Sequence, residues 1–353
     1  MVIDENKRKA LAAAMNAIDK AHGAGTVMMM GDGSKHKVEH LPTGCISLDR
    51  ALGIGGYPKG RIIELFGAES SGKTTVALHA IASCQQNGGI AAFVDAEHAL
   101  DPIYAKNIGV DIENMVISQP DYGEQAIDVA EKLILSGAID LIVIDSVAAL
   151  IPKSELEGDM EAMSVGVQAR LMSKAMRKLA GAVNKSKCIV IFINQIREKV
   201  GTVYGNPETT PGGRALKFFA SVRIEIRKQN NDPIKDGNVI IGNKIKAKIV
   251  KNKVAPPLTE AIFEIYYGKG ISCDNQIIDM AVNMDIIRKS GSWFTYGEDR
   301  WHGLAELREK FANEPDFKQE ITDKVMGKLD EGKKPVADPD EEEESFDDLV
   351  GTY

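Results

Sequence analysis

The run Gly67-Ala68-Glu69-Ser70-Ser71-Gly72-Lys73-Thr74 constrains this chain more than any other feature. It fits G-x-x-x-x-G-K-[ST] and lies between an apolar stretch at 61–66 and a helical pattern at 73–87. A strand that passes into a helix through such a loop is the setting of a phosphate-binding loop. Its glycines let successive backbone N–H groups point inward at phosphate oxygens, and the helix N-terminus adds partial positive charge. Lys73 then reaches the β- and γ-phosphates, while the Thr74 hydroxyl is placed to ligate Mg²⁺. The chain is expected to be an α/β protein that binds a nucleoside triphosphate.

A Mg²⁺ site of this kind needs a carboxylate at a second strand end. The apolar run at 141–145 delivers Asp145 there. Many phosphate-loop ATPases follow that aspartate with a glutamate that activates water, but here the next residue is Ser146. The base must come from elsewhere. Glu97, just past the apolar run at 90–95, is the leading candidate; Asp95 is its rival, and His98 reads as a structural hydrogen-bonding group. A third apolar run, 188–193, ends in Asn194-Gln195, an amide pair able to touch a γ-phosphate or to satisfy loop backbone. Two other classes fail. A GTPase needs N-K-x-D, which neither Asn184-Lys185-Ser186-Lys187 nor Asn252-Lys253-Val254-Ala255 supplies, and Leu135-Ser136-Gly137-Ala138-Ile139 is not the L-S-G-G-Q of a transporter ATPase.

Short apolar strands alternate with helical stretches at 73–87, 123–136 and 167–184, a pattern that argues for a mainly parallel sheet covered on both faces. Strands are expected at 61–66, 90–95, 115–118, 141–145 and 188–193, then at 222–227, 239–241, 244–250 and 261–267. Lys244, Lys246 and Lys248 alternate at period two, as a solvated strand face does. An amphipathic helix is expected at 4–21, followed by an apolar run at 27–30; the pair either packs on its own domain or docks on another subunit. Residues 275–330 read as a smaller, mostly helical unit with Trp293, Phe294 and Trp301 as aromatic filler.

Charge has to be divided before it is interpreted. The net charge is -8, yet the last 23 residues hold nine acids against two lysines, leaving the first 330 residues at -1. The tail has little to bury and is expected to be disordered, a tethered polyanion able to compete with nucleic acid for basic surfaces. The four cysteines lie far apart, which suggests neither a disulfide framework nor a zinc knuckle. No apolar run approaches the roughly 18 residues of a membrane span, and a cytoplasmic protein with no membrane partner is expected.

Five collinear motifs complete the reading: Gly67 through Thr75, Val94-Asp95-Ala96-Glu97-His98-Ala99-Leu100-Asp101-Pro102, Ala175-Met176-Arg177-Lys178-Leu179-Ala180, Phe192-Ile193-Asn194-Gln195-Ile196-Arg197 and Gly205-Asn206-Pro207-Glu208-Thr209-Thr210-Pro211-Gly212-Gly213. Together they resemble the bacterial RecA recombinase family, from about residue 4 to about 300. The resemblance implies an α/β P-loop NTPase core with a mainly parallel sheet (34–272), an N-terminal helix–strand oligomerisation arm (1–33), a small C-terminal α/β domain (273–333) and a disordered acidic tail (334–353). It implies an ATP-dependent filament on single-stranded DNA that pairs homologous double-stranded DNA, hydrolyses ATP with Mg²⁺ and promotes self-cleavage of a LexA-type repressor in the SOS response.

By position, the resemblance makes Glu97 the water-activating carboxylate and Gln195 the γ-phosphate switch. It assigns adenine contacts to Asp101, Tyr104 and Tyr267, and it sends Lys251 and Lys253 to the ATP of the adjacent subunit. It makes 153–166 and 196–213 the two DNA-binding loops, with Val165, Arg170, Arg197, Lys199, Val200, Gly212 and Gly213 near the strand. The second segment is also long and rich in Gly and Pro, as functional or disordered loops are. Two departures stand out. The first loop carries Glu155, Glu157, Asp159 and Glu161 against one lysine, where phosphate contact ordinarily shows as basic excess. Glu298-Asp299-Arg300-Trp301-His302-Gly303-Leu304-Ala305 departs from a Gly-Lys-rich stretch of the family, with Arg288, Lys289 and Lys310 as the remaining basic candidates for duplex capture. A hexameric DnaB-type helicase motor is the competing reading.

Overall fold

The computed structural model describes residues 4–23, 26–27, 38–158, 166–198 and 208–331. Two units are described separately, residues 1–39 and 40–353. In the first, helix α1 (Glu5–His22) starts where Asp4 accepts a hydrogen bond from the Asn6 N–H at 2.9 Å and stops at Gly23. None of its residues is buried. The apolar run at 28–30 lies outside the described residues, as does the tail at 332–353.

The second unit is built on a nine-stranded sheet. Its strands are β1 (Ile62–Gly67), β2 (Ala91–Asp95), β3 (Val116–Ser118), β4 (Leu141–Asp145), β5 (Ile189–Gln195), β6 (Val222–Asp236), β7 (Val239–Asn252), β8 (Glu260–Tyr266) and β9 (Gly270–Ile271). They lie in the order β9-β8-β7-β6-β1-β5-β4-β2-β3, and the six from β6 to β3 are parallel. The other three add antiparallel at one side. Helix α2 (Lys73–Gln86) covers one face, where Val76, Leu78 and Ile81 meet Ile63, Leu65, Phe93 and Ile191. On the opposite face, α4 (Gly123–Leu135) and α5 (Val167–Ser186) seat Ala130, Met172 and Leu179 against Ile142, Ile144, Val190 and Phe192. Burial on both faces is why these strands read as unbroken apolar runs. Helix α3 (Pro102–Ile108) follows β2.

Because the central strands are parallel, their carboxyl ends share one edge. Gly67 stands opposite Gln195, and Asp95 opposite Asp145. Open α/β sheets bind ligands at such an edge.

Two differences from the sequence reading have physical causes. The stretches 239–241 and 244–250 form the single strand β7, paired with a β6 that runs on to Asp236. Register shifts between Lys228 and Pro233 let the ladder pass the proline, which cannot donate to it. The C-terminal unit holds, besides α7 (Cys273–Asn283), α8 (Leu304–Asn313) and α9 (Pro315–Glu331), an antiparallel three-stranded sheet of β10 (Arg288–Ser290), β11 (Trp293–Tyr296) and β12 (Asp299–His302). These strands are only three or four residues long, and one face is polar, so no run of apolar residues marks them.

Candidate active site

The phosphate loop leaves β1 at Gly67 and enters α2 at Lys73. Gly72 takes a φ of 95° as the residue before the helix, and a Cβ on Gly67 would fall 2.1 Å from the Ile226 carbonyl oxygen. Both positions demand glycine. The Lys73 ammonium donates to the Ala68 carbonyl at 2.7 Å, and burial lowers its pKa despite the pull of Asp145 and Glu97. Thr74 Oγ1 donates to Asp145 Oδ2 at 2.8 Å. Burial raises the Asp145 carboxyl to about 6 against the opposing Thr74 hydrogen bond and Lys73 charge. A hydroxyl and a carboxylate held together at a helix N-terminus are hard oxygen donors of the kind Mg²⁺ takes beside phosphate. The donor set fits the ion.

Around Glu97 the geometry separates the two candidate bases. Asp95 is buried, and its carboxylate accepts the N–H groups of Ala99 and Leu100 at 3.2 and 3.3 Å and the Gln119 amide at 3.2 Å. It fastens the loop. Glu97 is exposed at the strand-end edge, where its Oε1 accepts from both Ser146 Oγ and Gln195 Nε2, the latter at 3.1 Å. His98 is exposed at a φ of 55°. Ser146, which follows Asp145 where many phosphate-loop ATPases carry a glutamate, thus donates to Glu97.

A cavity of about 240 Å³ adjoins the loop, lined by Ser70, Ser71, Gly72, Lys73, Thr74 and Thr75 and closed by Tyr104, Tyr267, Asn243, Ile245 and Ile265. Thr75 Oγ1 and the Tyr104 hydroxyl are 2.9 Å apart, and Asn243 Nδ2 donates to the Tyr267 hydroxyl at 2.7 Å. Asp101 caps α3, accepting from the Ile103 and Tyr104 N–H groups at 2.8 and 3.2 Å. Asn243, Ile245 and Ile265 were not singled out in the sequence, because β7 and β8 there look like ordinary strands. Glu69 and Ala68 are exposed at the mouth of the loop.

Lys251 and Lys253 lie elsewhere. Lys251 is level with Arg223, which is level with Glu64 on β1, three residues before Gly67. Since β7 runs antiparallel, its last residues sit toward the amino end of β1, away from the chain's own phosphate loop. Lys251 Nζ donates to the carbonyls of Lys217 and Phe218 at 2.7 and 3.0 Å, at the end of α6 (Ala215–Phe219), and burial and then Lys253 lower its pKa.

Of the expected DNA contacts, Arg170 is exposed on the first turn of α5, and Arg197 is exposed in a short strand, Arg197–Glu198, paired with Glu208–Thr209. Gly212 is buried at a φ of 81°, and a Cβ there would fall 2.8 Å from Val147 Cγ1; Gly213, at 76°, is exposed. Val165, Lys199 and Val200 lie outside the described residues, as do Asp159 and Glu161.

Of the three aromatic residues expected as filler, Phe294 and Trp301 are buried in the C-terminal core and Trp293 is not. Register places Arg288, Thr295 and Arg300 side by side, and next to them Ser290, Trp293 and His302, all on one face. Trp293 is exposed; the Arg300 guanidinium lies 4.1 Å from its ring centroid, and His302 meets it edge-on at 4.8 Å. Phe294 and Trp301 fill the other face. Lys310 is engaged within the domain by Asp299 and Glu314, and Lys289 lies over Phe294.

Models of the RecA N-terminal domain and the RecA C-terminal domain match residues 9–272 and 275–330. Proteins named Protein RecA are similar along most of the chain. That of Clostridium acetobutylicum is 57% identical over 329 residues, covering 93% of this chain and 94% of its own length. That of Heliobacterium modesticaldum is 56% identical, covering 96% and 97%, and that of Bacillus subtilis 58% identical, covering 88% of each.

Proposed function

Because the chain belongs to the RecA family, whose members are DNA-dependent ATPases acting in recombination, we propose that it holds ATP and Mg²⁺ between neighbouring subunits of a helical filament on single-stranded DNA. It is a recombinase that binds DNA and self-associates, and the hexameric helicase motor is not favoured. Among the described residues no helix is long and apolar enough to cross a membrane; we place the protein in the cytoplasm. The arm is read as 1–33, the core as 34–272, the C-terminal domain as 273–333 and the tail as 334–353.

The hydrogen bond from Gln195 Nε2 to Glu97 carries this reading. On nucleotide binding, Lys73 exchanges the Ala68 carbonyl for phosphate oxygens. Thr74 and Asp145 would hold Mg²⁺, which neutralises charge on the transferring phosphoryl group. Gln195 Nε2 turns from Glu97 to the γ-phosphate and so removes one of the two donors on Glu97 Oε1. Glu97 then accepts the proton of the attacking water, with Ser146 still orienting it. Because Gln195 heads the 196–213 segment, the same turn changes how that segment meets a DNA strand. Tyr104 and Tyr267 flank the base in the 240 Å³ cavity.

The position of Lys251 and Lys253, away from their own phosphate loop, supports their acting on a neighbour's ATP. The edge of β3, unpaired among the described residues and with Val116 and Ile117 exposed, suits it to accept an apolar arm from a neighbour. A head-to-tail contact that does not close makes a filament. Double-stranded DNA is assigned to the Arg288 and Arg300 face, which offers guanidinium groups to phosphates. A LexA-type repressor is the proposed protein partner on the strength of family membership.

Glu97→Gln tests the base. Turnover on saturating single-stranded DNA should fall by about 10² to 10⁴-fold while ATP and DNA binding survive; turnover near the wild-type rate would contradict the assignment. Negative-stain images with single-stranded DNA and a slowly hydrolysed ATP analogue should show helical filaments, and rings would contradict them.

A further inference from the structure

A buried carboxylate that the mechanism above does not use sits in the middle of β1. Glu64 is fully buried among Ile62, Ile63, Leu65 and Phe66. Strand alternation turns it, with Phe66, Asn194 and Arg223, toward the face that carries the base of the 196–213 segment. Its two oxygens have different partners. Oε2 accepts from Arg223 Nε at 2.5 Å, and Oε1 accepts from Asn194 Nδ2 at 2.9 Å. The same Asn194 Nδ2 reaches the Pro211 carbonyl at 3.2 Å, and Asn194 Oδ1 accepts the N–H of Gln195 at 3.0 Å. Arg223 is itself steadied over the Phe66 ring at 4.5 Å and stands beside Lys251 in the ladder.

Burying a carboxylate is costly unless every lone pair is used, and an apolar residue would serve packing as well or better. Every other residue of β1 apart from its terminal glycine is apolar. What the carboxylate adds is orientation: an acceptor on each side fixes which end of the Asn194 amide faces which neighbour. With Nδ2 held toward Glu64 and Pro211, Oδ1 must face the Gln195 N–H. One amide therefore ties together the base of the loop segment and the residue that heads it.

We propose that Glu64 is a positioning residue for DNA-coupled ATP hydrolysis: by orienting Asn194 between Pro211 and Gln195, it makes a shift of Pro211, at the base of the 196–213 segment, and release of Glu97 by Gln195 a single event. This rests on the roles given above to Gln195 and to that segment. A neutral amide at position 64 must present its oxygen to Arg223 and its NH₂ to Asn194, where donor meets donor. Asn194 then loses its fixed orientation while the shape of the site is kept.

The test compares ATP turnover with and without saturating single-stranded DNA for Glu64→Gln, Asn194→Ser and Gln195→Ala, alongside binding of a fluorescent ATP analogue and thermal unfolding. For Glu64→Gln, analogue affinity, KM for ATP and DNA-independent turnover should stay near wild type. The DNA-stimulated kcat should fall about tenfold or more, the factor carried by one charge-assisted hydrogen bond. Asn194→Ser keeps the Glu64–Arg223 pair but removes the amide that reaches Pro211, and it should show the same split if Glu64→Gln does not fold. Full DNA stimulation in Glu64→Gln, or in Asn194→Ser where the first variant does not fold, with Gln195→Ala unstimulated, overturns the role of Glu64 alone. Full stimulation in Gln195→Ala overturns the reading of Gln195 on which it rests.

Discussion

Ser146 shows what single residues contribute here. It follows the Asp145 carboxylate in sequence, is almost fully buried, and donates to Glu97 from across the strand ends. Replacing it by alanine removes one of the two donors that orient the base, and the one that stays when Gln195 leaves. Ser146→Ala should lower kcat by about tenfold with KM for ATP unchanged, since a hydrogen bond to a charged group is worth about 1.5–3 kcal/mol. Ser146→Thr, which keeps the hydroxyl, should recover most of the rate. A rise in KM with kcat intact would assign Ser146 to nucleotide binding instead. At this scale the phosphate loop and the placing of Asp145 and Glu97 at strand ends could be read from the chain, because each follows an apolar run. The donors to Glu97 could not, since which atoms meet across strand ends depends on register. Glu64 had a visible signal, a lone acid within Ile62-Ile63-Glu64-Leu65-Phe66, that only the fold turns into a contact.

Between elements, His79 offers a measurable link. It lies on α2, is buried, and its Nε2 accepts the Ile271 N–H of β9 at 2.7 Å. Burial lowers its pKa to about 4, so the folded protein keeps it neutral where the unfolded chain, near 6.5, takes up a proton. The stability that neutral His79 contributes is complete above pH 6.5 and is lost as pH falls toward 4, by up to about 3 kcal/mol. Thermal midpoints should therefore drop more steeply over that window in the wild type than in His79→Gln, which keeps an acceptor without a titration. Parallel slopes would show that this contact does not govern the acid sensitivity of the α2–β9 junction. The strands and helices of the core were legible because burial on two faces leaves long apolar runs. The C-terminal sheet was legible only through the family resemblance, which implied a small α/β domain, and not from its own residues. Its strands are short, and Arg288, Thr295, Arg300 and His302 on the outer face resemble loop composition until register aligns them.

For the whole molecule, the proposal is that two copies build each ATP site. Lys73, Thr74, Asp145 and Glu97 gather at one edge of the sheet, and Lys251, on β7, is level with Glu64, three residues back along β1 from Gly67. The shared site was implied by the family resemblance alone, and the antiparallel course of β7 supports it by carrying Lys251 away from the phosphate loop of its own chain. The most direct test mixes two inactive proteins. Lys73→Ala lacks the phosphate-loop lysine, and Lys251→Ala with Lys253→Ala lacks the lysines offered to a neighbour. Each alone should show little ATP turnover on single-stranded DNA. Mixed, some interfaces pair an intact phosphate loop with intact partner lysines, so turnover should reappear and pass through a maximum at intermediate ratios. Turnover that stays at the level of the two separate proteins at every ratio would contradict an ATP site shared between subunits.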